Sequence, residues 1–164
     1  MAAETKLLLG IAAGCYRNTG SYGTPTWTNQ TAVRTVTPGF PWDWADAPSR
    51  ATPVKIYGKT QVDLAIQLMI RADPADATYG AFVDAHWSQT AVLDLLILNA
   101  LLTVEGARGV RGEFLVSLTG EPQEIEGSIY STFDAKPTLT ANGLPKWVVM
   151  GASSTPTFNA IAIG

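Results

Sequence analysis

Three stretches of this 164-residue chain alternate apolar and polar residues with a period of two, a pattern that suits a β-strand with one dry face and does not suit a helix. From Gln61 to Arg71, the residues Val62, Leu64, Ile66, Leu68 and Ile70 alternate with Gln61, Asp63, Ala65, Gln67, Met69 and Arg71. Further on, Phe114, Val116 and Leu118 oppose Glu113, Ser117 and Thr119. Ile125, Ile129 and Phe133 then oppose Glu124, Glu126, Ser128 and Tyr130. A short Gly120-Glu121-Pro122 turn joins the last two stretches, and Lys136-Pro137 punctuates their end.

Around these strands the chain reads as follows. Leu7 to Tyr16 is a first strand, and Asn18 to Pro25 a Gly-, Asn- and Pro-bearing turn or exposed loop. Thr31 to Thr37 is a second strand. Pro38 to Pro53 holds four prolines together with Trp42, Asp43, Trp44, Asp46 and Arg50. It is too irregular for a strand and too aromatic for a linker, and a long loop with exposed aromatics usually touches something. Asp73-Pro74-Ala75-Asp76 announces a helix, with Asp73 as cap, Pro74 in the first turn and Asp76 at the positive end. Ala75, Tyr79, Phe82, Val83, His86 and Trp87 recur at helical spacing, which predicts one amphipathic helix of about four turns lying on the sheet. Ala91 to Leu98 is another apolar strand interrupted by Asp94, and Thr103 to Gly112 a Gly-rich connection. Strands, one helix, then strands predict a mainly β fold, an antiparallel sandwich flanked by a single helix. The domain is expected to span residues 1–140. The remainder, 141–164, is read as an extension able to add a strand to a neighbour.

Composition narrows the function. Eleven Lys and Arg against 14 Asp and Glu give a net charge of −3, which argues against a scaffold that grips phosphates by counterion release. Cys15 and His86 are each the sole residue of their kind, so neither an internal disulfide nor a zinc cluster is available, and the chain calls for no metal or cofactor. With 46% hydrophobic and only 15% charged residues, some apolar surface should remain outside the core, as at subunit contacts. No apolar run reaches the roughly 20 residues that span a membrane. Leu7 to Cys15 mimics a lipoprotein leader, but Glu4 beside Lys6 removes the positive flank and the run is short. A buried first strand is the better reading.

Candidate chemistry is sparse. His86 lies on the apolar side of the helix with no nucleophile signalled, which favours a packing role. Asp43 and Asp46 invite comparison with an acid–base pair and Trp42 and Trp44 with a sugar platform, without a further carboxylate to support them. Gly106 to Gly112 lacks the Lys and Ser or Thr of a phosphate loop and no helix follows it. Nothing assembles into a catalytic constellation, and no enzyme is expected.

In order and spacing, five segments resemble one family. They are the first strand with its Asn-Thr-Gly-Ser-Tyr-Gly-Thr-Pro-Thr-Trp turn, the aromatic loop ending near Arg50, the alternating strand from Val62 to Ile70, the Asp-Pro-x-Asp helix start, and the Arg-Gly-Glu-Phe-Leu-Val strand. Together, from about Lys6 to Leu139, they resemble a siphophage-type tail tube protein. The resemblance implies hexameric rings stacked into a tube that conducts DNA during ejection. It also implies a place in the virion tail after assembly in the host cytoplasm, and tape-measure, tail-terminator and baseplate proteins as partners. On that reading Trp42, Asp43, Trp44, Asp46 and Arg50 form an inter-ring contact loop. Gln61, Asp63, Gln67, Glu113, Ser117, Glu124, Glu126 and Ser128 line the channel. Two alternatives remain open: a small sandwich binding module using Trp42, Trp44 and Tyr57 as a stacking platform, and a small hydrolase.

Overall fold

The computed structural model describes residues 14–39, 42–47, 56–120, 129–152 and 156–160. In chain order the elements are β1 (Gly14–Asn18), β2 (Trp27–Asn29), β3 (Val33–Gly39), β4 (Trp42–Ala47), β5 (Ile56–Val62), β6 (Ala65–Arg71), α1 (Ala77–Trp87), β7 (Leu93–Leu98), β8 (Arg108–Gly120), β9 (Tyr130–Pro137), β10 (Lys146–Met150) and β11 (Pro156–Ala160). The main sheet runs β2-β1-β7-β8-β9-β6-β3, with β10 on β8 and β11 on β10, while β4 and β5 make a separate two-stranded ribbon. All these pairings are antiparallel. The expected class, mainly antiparallel β with a single helix, is the one observed among the described residues.

The core divides at β7. Its nearly continuous apolar run buries both faces: Leu95 and Ile97 join one cluster with Cys15, Ile66, Leu68, Ile70, Val110, Phe114 and Phe133, whereas Leu96 and Leu98 join a second with Tyr16, Ala107, Val148 and Met150. The alternation of β6 is fully used, since Ile66, Leu68 and Ile70 are wholly buried and Gln67 and Met69 are exposed. Ala32, Val33 and Val36 close the first cluster from the β3 side, so the sheet folds over on itself as a sandwich.

Several boundaries differ from the sequence reading. The single strand expected over Gln61–Arg71 breaks at Asp63-Leu64. Leu64 stays buried, so the alternation survives, but β5 pairs with β4 while β6 pairs with β3 and β9. The Gly-rich connection ends before Arg108, and Gly109 and Gly112 belong to β8. Gly109 is required there by close approach: a Cβ on it would lie 1.7 Å from the Ile97 carbonyl oxygen. Of the expected first strand, Gly14 to Tyr16 lies in β1 and 7–13 fall outside the described residues, as do 121–128 of the expected turn and second strand. The 141–164 stretch contributes β10 to the main sheet, in register from Lys146 opposite Arg111 to Val149 opposite Arg108. Val148 and Met150 enter the second cluster.

The helix begins later than expected. Asp73 caps a preceding turn, its Oδ1 accepting from the Ala75 amide at 3.0 Å, and Asp76 is the N-cap, its side chain accepting from the Thr78 amide at 2.7 Å. Eleven residues give about three turns. Phe82 and Ala85 are buried against the sheet and Tyr79 and Val83 are half-buried, but Trp87 is 78% exposed and Ala75 is also exposed, so the expected stripe is shorter at both ends.

Cys15, wholly enclosed, has its thiol pushed up from 9.0 to about 12 by burial. Between about pH 9 and pH 12 an unfolded chain loses this proton while the native one keeps it. Its contribution is therefore fully present below about pH 9 and is lost as pH rises towards 12. The wild-type protein should lose about 1.4 kcal/mol of stability per pH unit across that window relative to Cys15→Ala, measured by urea unfolding of both proteins. Parallel stability–pH curves would show that the site is open to solvent.

Candidate functional site

The feature most suited to a function is the sheet face opposite the first cluster. Cross-strand register places Thr37 beside Gln67, Gln67 beside Asp134 and Asp134 beside Ser117, a row running over β3, β6, β9 and β8. A second row holds Thr35, Met69 and Thr132. Gln67 Nε2 donates to Asp134 Oδ1 at 3.5 Å. The face is rich in hydroxyls and amides, with Asp134 and Lys136 on β9 supplying charge of both signs. Apolar residues of the same strands point the other way into the first cluster, which fixes the orientation of this face.

Of the residues expected to line a channel, Gln67 and Ser117 share this row, and both are exposed. Glu113 has the same phase on β8, but its Oε2 accepts from the Thr140 hydroxyl and from Asn142 Nδ2, the latter at 3.1 Å. It therefore ties down the loop before β10. Asp63 is exposed at the break between β5 and β6, and Gln61 belongs to the β4–β5 ribbon, so the single face expected for Gln61, Asp63 and Gln67 is divided between two sheets. Glu124, Glu126 and Ser128 lie outside the described residues. Thr37, Thr132 and Asp134 were missed. The polar phase of Tyr130, Thr132, Asp134 and Lys136 was the signal available for β9.

The expected contact loop is not a loop over its aromatic part. Trp42 to Ala47, including Asp43, Trp44 and Asp46, form β4, paired with β5 from Trp42 opposite Val62 to Ala47 opposite Ile56, with a register shift between Trp42 and Trp44. The prolines misled because they bracket this strand at Pro41 and Pro48 and do not interrupt it. Arg50 lies outside the described residues.

A buried ion pair supports the opposite end of the sheet. Arg111 and Asp94, at 4% and 10% side-chain exposure, meet through Nε at 3.1 Å and Nη2 at 2.7 Å. Arg111 Nη2 also donates to the Tyr22 carbonyl at 2.8 Å, and the guanidinium lies 3.9 Å from the Tyr22 ring centroid and 4.9 Å from that of Trp27. Asn18 donates to Asp94 at 2.8 Å, while its Oδ1 accepts from the amides of Gly20 and Thr26, each at 2.9 Å. The Asn18–Trp27 loop is thus clamped to β7 and β8. The Tyr22 phenol is raised by burial, with Arg111 lowering it and Asp94 and Glu113 raising it further. Asp94 alone in an apolar strand was the sequence signal for this pair.

His86 packs as a structural residue. It is half-buried against Trp87, with ring centroids 4.8 Å apart, and Nδ1 accepts from the Leu118 amide at 3.1 Å, which assigns the ring proton to Nε2. Among the described residues no group of three or more His, Cys, Asp or Glu side chains is placed to hold a metal.

No protein-family model matches the sequence, and no curated protein matches it. Among solved structures, a chain of the SPP1 tail tube, determined by solid-state NMR and cryo-EM, matches 93% of this chain and 78% of its own length with a TM-score of 0.59 at 10% identity. At that identity the likeness is one of fold, and the fold is tail-tube-like.

Proposed function

We propose that this chain is the structural subunit of a phage tail tube, six copies joining in a ring and rings stacking head to tail around a channel for DNA. The observation that carries this reading is the likeness of fold to the SPP1 tail tube chain across nearly the whole sequence. Sheet edges support it. Among the described residues β2, β3 and β11 each have a strand partner on one side only, and a ring that pairs such edges removes them. Head-to-tail contacts that do not close on themselves extend a ring into a tube. On this reading the face holding Gln67 and Ser117, with Asp63, Glu124, Glu126 and Ser128, faces the lumen. A face of hydroxyls and amides, on which the Lys136 ammonium is balanced by the Asp134 carboxylate, carries no net positive charge to hold passing phosphates. Tape-measure, terminator and baseplate proteins are then its partners in the virion tail, and within the 141–164 region β11, which pairs only with β10 among the described residues, serves an inter-subunit contact.

Purified protein should form rings or tubes in negative-stain images, and monodisperse monomers at assembly-competent concentrations would overturn the reading. The β4–β5 ribbon is the proposed inter-ring contact, because buried aromatics dominate interface energies. Replacing Trp42 and Trp44 together with Ala should leave a folded, soluble subunit that no longer builds long tubes. Tubes of normal length would exclude this ribbon from the contact.

A further inference from the structure

Of the five asparagines in the chain, Asn18, Asn29, Asn99, Asn142 and Asn159, only Asn142 is followed by glycine. The pair sits in the turn between β9 and β10, where Thr140 bridges to Gly143 and the Gly143 amide donates to the Thr140 carbonyl at 3.1 Å. Asn142 is exposed. Gly143 has a φ of 88°, a left-handed conformation that suits glycine, and a Cβ built on it would meet nothing within 4 Å. We propose that Asn142-Gly143 is a site of spontaneous deamidation, held back in the native fold by the Glu113 carboxylate acting as a clamp. This inference does not depend on the tube reading.

The clamp consists of side-chain bonds to β8. Glu113 Oε2 accepts from Asn142 Nδ2 at 3.1 Å and from the Thr140 hydroxyl, and Thr140 Oγ1 accepts in turn from the Asn142 amide at 3.1 Å. Leaving group and turn are thus tied to one carboxylate. For reaction, the Gly143 amide must release the Thr140 carbonyl, give its proton to a solvent base and attack Asn142 Cγ. A bond forms from the Gly143 nitrogen to Cγ, the Cγ–Nδ2 bond breaks, and Nδ2 departs as ammonia after taking a proton from water. Water then opens the succinimide. Addition at Cγ gives aspartate, and addition at the backbone carbonyl of residue 142 gives isoaspartate, with the chain rerouted through the side chain. At the other asparagines the attacking nitrogen belongs to Thr19, Gln30, Ala100 or Ala160, each of which carries a Cβ that crowds the approach. The change runs one way. A carboxylate has no proton to donate at neutral pH, so the group that bonded to Glu113 becomes a second negative charge facing it. Deamidation therefore releases the turn from β8, while β10 keeps its own ladder from Lys146 opposite Arg111 to Val149 opposite Arg108.

The test ages the purified full-length chain in mildly alkaline buffer and follows the tryptic peptide Gly112–Lys146, whose sole asparagine is Asn142. Chromatography separates its aspartyl and isoaspartyl forms, and mass spectrometry quantifies them against a synthetic Thr138–Lys146 peptide that has no clamp. Both forms should accumulate in the protein, isoaspartate in excess and several-fold more slowly than in the peptide, while the other asparagines stay intact. Glu113→Ala should bring the protein's rate close to that of the peptide. No isoaspartate in the protein while the peptide converts extensively would overturn the site, and equal rates in wild type and Glu113→Ala would overturn the clamp. Because Glu113→Ala can loosen β8 as a whole, Asn142→Asp is examined in parallel by hydrogen exchange. Amides of Thr138–Leu144 should exchange several-fold faster than in wild type while those of β6 and β7 are unchanged, and equal protection of the turn would equally reject the clamp.

Discussion

Asp94→Ala should destabilise the protein by about 3–5 kcal/mol, because the substitution leaves the Arg111 guanidinium at 4% exposure without its carboxylate. The damage extends beyond one ion pair. Asn18 Nδ2 loses an acceptor at 2.8 Å, and Asn18 is the residue whose Oδ1 holds the Gly20 and Thr26 amides. The Asn18–Trp27 loop should therefore loosen with the core. Chemical denaturation measures the first effect, and limited proteolysis within Gly20–Pro25 the second. The variant Asp94→Leu with Arg111→Met separates net worth from the penalty of orphaning. If the pair is retained for geometry and not for stability, the apolar double variant should recover most of the loss while the loop stays susceptible. A loss below 1 kcal/mol for Asp94→Ala would mean that water reaches Arg111 freely.

Phe82→Ala should cost about 3–5 kcal/mol, the range for an aromatic deleted from a core that cannot collapse around the hole. Phe82 is fully buried, and its ring meets that of Phe133 at 5.6 Å with the planes tilted by 59°, while Tyr79 approaches the same ring edge-on at 6.3 Å. Phe133 sits on β9 in the middle of the sheet, so the helix cannot shift into the space without breaking this aromatic contact. Equilibrium unfolding of the purified protein is the measurement. A cost well under 1 kcal/mol would mean that the helix face is open to solvent.

Sequence legibility followed physical locality. The period of two in β6 and β8 was readable because one face is dry and the other wet, so Ile66, Leu68, Ile70, Phe114 and Val116 announced themselves as core. Aspartates near Pro74 signalled a helix, but Asp73 and Asp76 both have capping chemistry, and only the backbone decides which of them caps the turn and which the helix. The β4 strand was hidden because prolines beside a two-residue alternation look like prolines within it. Gly109 and Gly112 misled in the opposite direction: a glycine needed for close approach, to the β7 backbone at Gly109 and to the Pro145 ring at Gly112, has the same letter as one needed for a turn. At the candidate face, Gln67 and Ser117 were legible individually, whereas their shared row depends on the register of three strands. The bond from the His86 ring to the Leu118 amide, across 32 residues, had no local signal at all.

The division of the core at β7 has a mechanical meaning. A strand packed in hydrocarbon on both faces and flanked by β1 and β8 can be hydrated only when the whole fold opens, whereas β2 and β11, each held by one neighbouring strand among the described residues, can fray for the loss of a few contacts. The fold thus has a spine whose register does not depend on its outermost strands. Neighbours can be gained, lost or exchanged at the edges while the central strands keep their register.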